Sequence, residues 1–324
     1  MDGVSNDDTS GVPLMKRQKS TVTTKERSLL TRRGSIPFPA YIPVTTFGEK
    51  YPLDKLVQPY LPRLASALMV SRHYARSLSP DQLPRLPLLI DSGGFAALFA
   101  GSQIHEKRGL GVLEVSIGDH PEMIHPTDVL EFQEKIADVA FTLDFPIPPN
   151  LELEEAQKRQ RLTISNALWA IGNRRRRDMP LYACVQAWDV DSARTCAKEY
   201  AKAGFEGVAI GGLVPRAQNL PLVLAIVEAV RSEIGSLPLH VFGLGSPEIV
   251  QELYKAGVDS VDSSSYVRAA ADGKLWANPD VQIADPTPTD RLHLALCNLA
   301  MATGKTLPLS ASAMLFSTFN AHRV

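Results

Sequence analysis

The chain has 324 residues, of which 44% are hydrophobic and 21% are charged, with 34 basic residues against 35 acidic ones. This length suits one barrel-sized domain of about 250 residues with extensions. The hydrophobic content excludes a wholly disordered or low-complexity chain, because it can supply a large core. The balanced charge means that a nucleic acid has to be bound by a local basic patch rather than by the chain as a whole.

Cysteine usage and apolar runs narrow the class of protein further. Cys184, Cys196 and Cys297 are too few and too widely spaced for a disulfide framework or a four-thiolate zinc site. The seven histidines show no metal-ligand spacing, so no catalytic metal is expected. No apolar run reaches the ~18 residues of a membrane-spanning helix, and the polar N-terminus does not resemble a signal peptide. We expect a cytoplasmic protein without a membrane span.

The N-terminal segment, residues 1–33, is polar and lacks apolar periodicity. Between Lys16 and Arg33 it carries seven basic residues against the single acid Glu26. This composition predicts a disordered basic tail, which is either a solvated terminus or an arm that contacts phosphate.

From residue 34 onward, short apolar or β-branched runs alternate with longer segments of helical spacing. Eight strands are predicted at Ala40–Val44, Ala67–Val70, Leu88–Asp91, Val139–Asp144, Leu181–Gln186, Gly207–Ile210, Leu239–Phe242 and Ser260–Asp262. Helices are predicted at Leu53–Leu61, Pro126–Ala137, Glu152–Arg175, Val190–Ala203, Leu220–Ile234, Ser246–Ala256 and Arg291–Ala302. This alternation favours an α/β fold, a (β/α)8 TIM barrel over residues 34–324 with a short C-terminal helical extension. A doubly wound open sheet is the alternative.

The predicted strands end in polar residues and glycines. In chain order from the third strand, the ends are Asp91-Ser92-Gly93-Gly94-Phe95, Asp144, Gln186, Gly211-Gly212-Leu213, Gly243 and Asp262. Because the active site of a barrel lies at the C-terminal ends of its strands, we expect these residues to ring one pocket. Glycines let a flat ligand approach the backbone, while Asp and Gln side chains offer hydrogen bonds to the edge of a heterocycle such as a purine.

These strand ends also have other interpretations. An aspartate that ends a strand is often a helix N-cap, and glycine-rich strand ends occur in phosphate- and flavin-binding barrels. The pair Asp91 and Asp262 favours a glycosidic displacement instead. That reaction requires one carboxylate as the nucleophile on the anomeric carbon and a second one to move the proton of the leaving base.

Taken in order, these motifs resemble the tRNA-guanine transglycosylase superfamily from about Arg33 to Arg268. The residues that carry the resemblance are Arg33-Gly34, Pro43-Val44-Thr45, Asp91-Ser92-Gly93-Gly94-Phe95, Asp144, Gln186, Ile210-Gly211-Gly212-Leu213, Phe242-Gly243-Leu244-Gly245, Gly257-Val258-Asp259 and Asp262. Members of this superfamily are (β/α)8 barrels that exchange a guanine in a polynucleotide for a 7-deazaguanine base. The exchange passes through a covalent enzyme–nucleotide intermediate.

The resemblance implies a role for each matched residue. Asp262 would be the nucleophile and Asp91 the general acid and base. The residues implied in base binding are Asp144, Gln186, Gly211, Gly212 and Leu213 along the edge, Ser92 and Gly243 nearby, and Phe95 stacked on the ring. A 7-deazaguanine base of the queuine or preQ type would be the co-substrate, and no cofactor would be needed.

The chain also departs from the family pattern. Members that act on tRNA usually carry a zinc site of three cysteines and a histidine after the nucleophile, whereas this chain has only Cys297 there. Gln186 is followed by Ala187-Trp188 where the family usually has Gly-Gly, and the Gly-Glu of the bacterial tRNA enzymes is missing after Leu213. The stretch from Val261 to Tyr266 looks closer to the archaeal and DNA-modifying branches. We therefore expect no zinc and a nucleic-acid substrate, with DNA slightly favoured over tRNA.

Two other functions stay open at this point. One is an enzyme that makes a free deazapurine nucleoside, and the other is a non-catalytic partner subunit of a tRNA-guanine transglycosylase. Either a homodimer or a heterodimer is compatible with the family. The candidate nucleic-acid contacts are Arg174, Arg175, Arg176, Arg177 and Arg268. The four-arginine run is also typical of a solvated helix C-terminus.

Overall fold

The structure, a computed structural model, describes residues 27–47, 51–79, 82–117, 120–280 and 282–307. Strands in these residues are β1 (Ser28–Thr31), β2 (Gly34–Pro37), β3 (Ala40–Pro43), β4 (Leu68–Ser71), β5 (Leu88–Asp91), β6 (Gln103–Lys107), β7 (Leu110–Ile117), β8 (His120–Ile124), β9 (Val139–Phe141), β10 (Leu181–Val185), β11 (Gly207–Ile210), β12 (Leu239–Val241) and β13 (Ser260–Ser263). The α-helices are α1 (Pro52–Val57), α2 (Leu61–Leu64), α3 (Arg72–Ala75), α4 (Pro126–Ile136), α5 (Leu153–Asn173), α6 (Val190–Ala203), α7 (Leu220–Ile234), α8 (Pro247–Lys255), α9 (Ser265–Ala271) and α10 (Pro288–Thr303).

Within the described residues, eight strands form one parallel sheet that closes into a barrel. The order of neighbours is β3-β13-β12-β11-β10-β9-β5-β4. A parallel bridge between Val44 and Met69 joins the two outer strands, and the Thr45 N–H donates to the Met69 carbonyl at 3.0 Å. The predicted (β/α)8 barrel is therefore confirmed, and each predicted strand overlaps an observed one. Closure excludes the doubly wound alternative.

The outer helices pack on the sheet through one apolar face each, and α6 illustrates why. Asp189 caps this helix by accepting a hydrogen bond from the Ser192 N–H at 2.8 Å, and Gly204 ends it in the left-handed conformation at φ 84°. Its buried residues recur every three or four positions, at Ala193, Cys196, Ala197 and Tyr200. This helical period places them on one face, against the barrel strand that precedes the helix.

Side chains fill the barrel interior, and a hairpin covers the end at which the strands begin. The interior cluster includes Ile42, Met69, Leu89, Phe141, Tyr182, Cys184 and Ala209. Ile36 of the β1–β2 hairpin is only 2% exposed and packs against this cluster, as do Leu29 and Phe38. The barrel is therefore a packed core that is closed at its N-terminal end.

The predicted C-terminal boundary of the tail, residues 1–33, lies too far along the chain. Residues 1–26 lie outside the described residues. Ser28–Thr31, however, pair with β2 as an antiparallel strand, and Arg33 bonds to the buried carboxylate of Asp138 at 2.5 Å. This segment is ordered by docking on the barrel, a tertiary effect that its polar local sequence does not show.

A three-stranded antiparallel sheet of β6, β7 and β8 was not predicted. It lies between β5 and α4 in the chain and packs against α5. Contact is close at Gly111, where an added Cβ would lie 2.2 Å from the Phe145 ring. At the other end of the chain, α10 packs against α9, α1 and β3, so the predicted C-terminal extension is part of the outer helix layer. No helix in the described part of the chain is long and apolar enough to span a membrane.

Candidate active site

A cavity of about 240 Å³ opens at the C-terminal ends of the barrel strands. The predicted residues that line it are Asp91, Phe95, Asp144, Gln186, Gly211, Gly212, Gly243 and Asp262. The structure thus brings three carboxylates, one carboxamide and three glycines from six strand ends into one pocket. Ser92 and Leu213 are buried behind the wall and do not line the cavity.

Asp144 and Gln186 form one polar wall of the cavity. Asp144 accepts a hydrogen bond from Gln186 Nε2 at 2.6 Å and another from the Ser92 hydroxyl at 3.1 Å. Gln186 Oε1 in turn accepts from the Ile147 N–H at 3.3 Å, which fixes the orientation of the amide. Burial raises the pKa of Asp144, while the bonds from Gln186 and Ser92 act in the opposite direction. The wall offers a fixed set of oxygens and N–H groups to a planar ligand.

The glycines beside this wall are required by the space available. A Cβ on Gly211 would lie 2.1 Å from Gln186 Nε2, and one on Gly212, where φ is +70°, would lie 2.8 Å from Gln186 Oε1. Sequence reasoning missed the residue that holds this turn, Arg216. Its buried guanidinium donates to the Gly212 carbonyl at 2.6 Å and to the Ile147 carbonyl at 2.9 Å. Arg216 therefore ties the glycine turn to the loop after β9.

Asp91 ends β5 and lies close to the two other carboxylates. Burial, followed by the negative charges of Asp144 and Asp262, raises the pKa of Asp91 to about 7. The Gly93 N–H donates to Asp91 Oδ2 at 3.3 Å and opposes this effect only in part. A carboxyl with such a pKa is suited to donate and accept a proton near neutral pH.

Asp262 lies across the cavity on β13. Its Oδ1 accepts hydrogen bonds from His240 Nε2 at 3.0 Å and from the Gly243 N–H at 3.2 Å. His240 is fully buried, and its Nδ1 lies 2.8 Å from the Ser260 hydroxyl. Sequence reasoning missed His240, because its place behind Asp262 depends on the alignment of β12 with β13, which pairs it with Ser260.

An apolar platform borders the mouth of the cavity. Phe95 is 62% exposed and Leu98 is 42% exposed, and both line the cavity. The Phe95 ring packs edge-on against the Phe99 ring, with centroids 6.0 Å apart. This arrangement presents a flat aromatic surface to a ligand that enters the pocket.

The model of the family described as "Queuine tRNA-ribosyltransferase" matches residues 25–300. The chain belongs to this family. It is similar to the tRNA-guanine(15) transglycosylase of Thermococcus onnurineus, with 28% identity over 228 residues, 61% of this chain and 38% of that protein.

Two further relatives carry the same name. The Methanocaldococcus jannaschii protein is 31% identical over 158 residues, which cover 47% of this chain and 24% of that protein. The Pyrobaculum aerophilum protein is 25% identical over 300 residues, 90% of this chain and 58% of that protein. In these comparisons the matched region is at most 58% of the relative's length.

The structure does not bring the arginine run to the cavity. Arg174 is 7% exposed and its guanidinium pairs with Glu206, with NH1 2.6 Å from Oε2. Arg176 donates to the Glu134 carbonyl at 2.8 Å. Residues 174–177 connect α5 to the start of β10, at the barrel end opposite the cavity. The structure therefore does not support the prediction that Arg174, Arg175, Arg176 and Arg177 contact a nucleic acid bound at the cavity, and Arg174 is buried in an ion pair instead. Arg268 differs, because it is exposed on α9, directly after β13 and at the cavity end.

The described residues do not fit the zinc site that the resemblance implied for tRNA-acting members. Among these residues, no group of three or more His, Cys, Asp or Glu side chains is arranged to hold a metal ion. Cys297, the thiol nearest to the expected position in sequence, lies on α10, where burial raises its pKa to about 11. A neutral thiol is a poor zinc ligand, because zinc binds the thiolate.

Proposed function

We propose that this chain is a guanine transglycosylase, a pentosyltransferase that exchanges a guanine in a nucleic acid for a 7-deazaguanine base. The observation that carries the proposal is the convergence of Asp91 and Asp262 on a cavity whose other wall is built from Asp144 and Gln186. Two carboxylates beside a site for a planar base are the groups that a glycosidic displacement at a nucleoside requires. A phosphate- or flavin-binding barrel does not need such a pair.

The first half of the reaction replaces the bond to guanine with a bond to the enzyme. The target nucleotide leaves the base stack, and its base enters the cavity beside Phe95. Asp262 Oδ2 attacks C1′ of the sugar while the C1′–N9 bond breaks and its electron pair passes to guanine. Asp91, which holds a proton near neutral pH because its pKa is about 7, protonates the departing base.

The second half reverses these steps with a different base. Asp91, now a carboxylate, takes the N9 proton of the incoming 7-deazaguanine. The N9 of that base attacks C1′, the C1′–Oδ2 bond breaks, and its electron pair returns to Asp262. Because each displacement inverts C1′, the product retains the original configuration.

The test of this chemistry is the Asp262→Asn variant. We expect exchange of labelled guanine to fall by about 100-fold or more, because an amide cannot form the ester intermediate. Asp272→Asn is the matched control, since Asp272 is an exposed carboxylate that follows Asp262 closely in the sequence and does not line the cavity. Near-normal turnover in Asp262→Asn would refute the assignment of the nucleophile.

The type of nucleic acid that serves as the substrate is the more specific part of the proposal. The relatives are named for tRNA, which makes tRNA the first substrate to test. The described residues do not fit the zinc site implied for tRNA-acting members, so duplex DNA is the second candidate. Exchange of labelled guanine into tRNA and into duplex DNA, run side by side, separates them. Exchange into neither polymer, with activity on a free nucleoside, would support the nucleoside enzyme instead.

Phosphate contacts give an independent test of a polymeric substrate. Arg268 is exposed on α9, the helix that follows the strand carrying Asp262, so we expect it to contact a phosphate next to the target nucleotide. Arg268→Ala is expected to reduce the slope of log affinity against log salt by about one. A double variant of Arg175 and Arg177, both exposed at the opposite end of the barrel, is the control and should leave the slope unchanged. A slope near zero in the wild type argues against any polymeric substrate.

A further inference from the structure

His240 and Ser260 form a buried hydrogen-bonded pair directly behind Asp262. His240 lies in the middle of β12 with no exposed surface, and its ring centroid is 5.2 Å from that of Phe141 and 4.9 Å from that of Phe242. Its two ring nitrogens both face polar partners, Ser260 on one side and Asp262 on the other. A buried polar group between aromatic rings is costly unless it is fully hydrogen-bonded, and this pair satisfies both nitrogens.

The chemistry of the partners fixes the tautomer of the neutral ring. An ionised carboxylate only accepts hydrogen bonds, so Nε2 must carry the hydrogen that points to Asp262 Oδ1. Nδ1 is then an acceptor, and the Ser260 hydroxyl donates to it over 2.8 Å. Ser260 is 5% exposed, so water does not readily take its place. The serine thereby keeps the histidine in the donating tautomer.

His240 is the dedicated donor to this carboxylate. Among the described residues, the hydrogen bonds to the Asp262 carboxylate both end on Oδ1, which leaves Oδ2 for the attack. The second donor, the Gly243 N–H, is shared with the backbone carbonyl of Asp262 at 3.1 Å. The position of the nucleophile and the direction of its free oxygen therefore depend mainly on His240.

We infer that His240, held in its Nε2–H tautomer by Ser260, positions Asp262 and stabilises it as the leaving carboxylate when the covalent intermediate breaks down. The inference rests on the proposed function. In the intermediate, Oδ2 is bonded to C1′ and Oδ1 is the neutral carbonyl oxygen of an ester. When the C1′–Oδ2 bond breaks, its electron pair returns to the carboxylate and the bond from His240 becomes charge-assisted, hence stronger. The donor thus favours the second displacement more than the first.

The assay measures how the enzyme divides between its free and covalent forms. Wild type and variants are quenched in denaturant during steady-state exchange, and the fraction of chains joined to the polymer is counted alongside kcat and KM. His240→Phe keeps a planar ring but has no N–H donor. We expect its kcat to fall about 10- to 100-fold and the trapped fraction to rise. The KM for the polymer should fall together with kcat, because slower breakdown of the covalent form lowers both.

Conservative variants separate hydrogen bonding from packing. His240→Gln retains an N–H donor and should recover most of kcat and lower the trapped fraction towards the wild-type value. Ser260→Ala should raise the trapped fraction less than His240→Phe does, because it frees the tautomer of His240 without removing the N–H donor. Tyr200→Phe is the control, since it removes a buried hydrogen bond of 2.9 Å to the Cys184 carbonyl and lies outside the cavity lining.

The outcomes distinguish this inference from the proposed function. One outcome overturns the inference and leaves a packing role for the ring. In that outcome the wild type forms an adduct, the trapped fraction in His240→Phe equals that in the wild type, and His240→Gln is slowed as much as His240→Phe. No adduct in the wild type, even with saturating polymer and no incoming base, refutes the proposed function and the inference with it. If His240→Phe does not fold, Ser260→Ala decides, and an unchanged trapped fraction in that variant overturns the inference.

Discussion

The ionised carboxylate of Asp91 is expected to lower the free energy of unfolding of the protein. Its carboxyl lies among two other carboxylates in a largely buried position, and its pKa is raised from 3.8 to about 7. Replacing it with Asn removes the charge but keeps the shape and an oxygen that accepts from Gly93. We predict that Asp91→Asn abolishes exchange and at the same time raises the free energy of unfolding above pH 7.

The direction of the pH dependence follows from proton linkage. Below pH 3.8 the carboxyl is protonated in both the folded and the unfolded chain, so the acid of the wild type and the amide of the variant are equivalent in charge. Between pH 3.8 and about 7 the unfolded chain releases the proton while the folded chain keeps it, so wild-type stability falls as pH rises. Above pH 7 both states are ionised and the loss is complete. A pKa raised from 3.8 to about 7 corresponds to at most about 4 kcal/mol. The partial exposure of Asp91 reduces the expected gain to about 2 kcal/mol.

Urea unfolding of both proteins at pH 5 and pH 8 measures this difference. The stability advantage of Asp91→Asn should be larger at pH 8, and the slopes of the two unfolding curves should be similar. Asp272→Asn, at an exposed position, is the control and should show no such change between the two pH values. An advantage that is equal at pH 5 and pH 8, or a variant less stable at pH 8, would contradict the electrostatic account of this site.

Three further predictions concern the cavity wall, the arginine run and the metal. Gly211→Ala places a Cβ 2.1 Å from Gln186 Nε2, so the affinity for the free base, measured by titration, should fall about 10- to 100-fold; unchanged affinity would contradict the close packing. Arg174→Ala should cost about 2 kcal/mol in urea unfolding because it strands the half-buried Glu206, whereas Arg175→Ala should cost almost nothing. Metal analysis should find no stoichiometric zinc, and chelators should leave the Tm unchanged, while one tightly held zinc per chain would show that the prediction is wrong.

The barrel and the composition of its pocket could be predicted because their signals are local. Each barrel strand is a short apolar run followed by glycine or a polar residue, and a barrel places such strand ends together. Asp91, Asp144 and Asp262 therefore came together in the cavity as expected. Helix α6 was predicted with the observed bounds because two local features of the sequence define it. These are the capping residue Asp189 and an apolar period of three to four residues.

What the sequence did not show depends on partners that are distant along the chain. Arg174 looks like part of an exposed basic run until the fold places Glu206, 32 residues later, against its guanidinium. His240 has an ordinary apolar neighbourhood in sequence, and only the alignment of β12 with β13 places it behind Asp262. The β6–β8 sheet depends in the same way on Gly111 fitting beneath the Phe145 ring. Register and long-range pairing are tertiary properties that local periodicity does not specify.

The hairpin that closes the N-terminal end of the barrel has a kinetic consequence. In the part of the chain that the structure describes, Ile36 and the interior cluster block passage through the barrel, so the cavity opens at the strand ends. In the proposed exchange, the departing guanine must then leave through the same opening by which the next base enters. The two bases cannot occupy the cavity at the same time, and the polynucleotide stays covalently bound to the enzyme after the first base leaves and before the second one enters. Initial rates should follow a ping-pong pattern, with guanine acting as a competitive inhibitor against the incoming base.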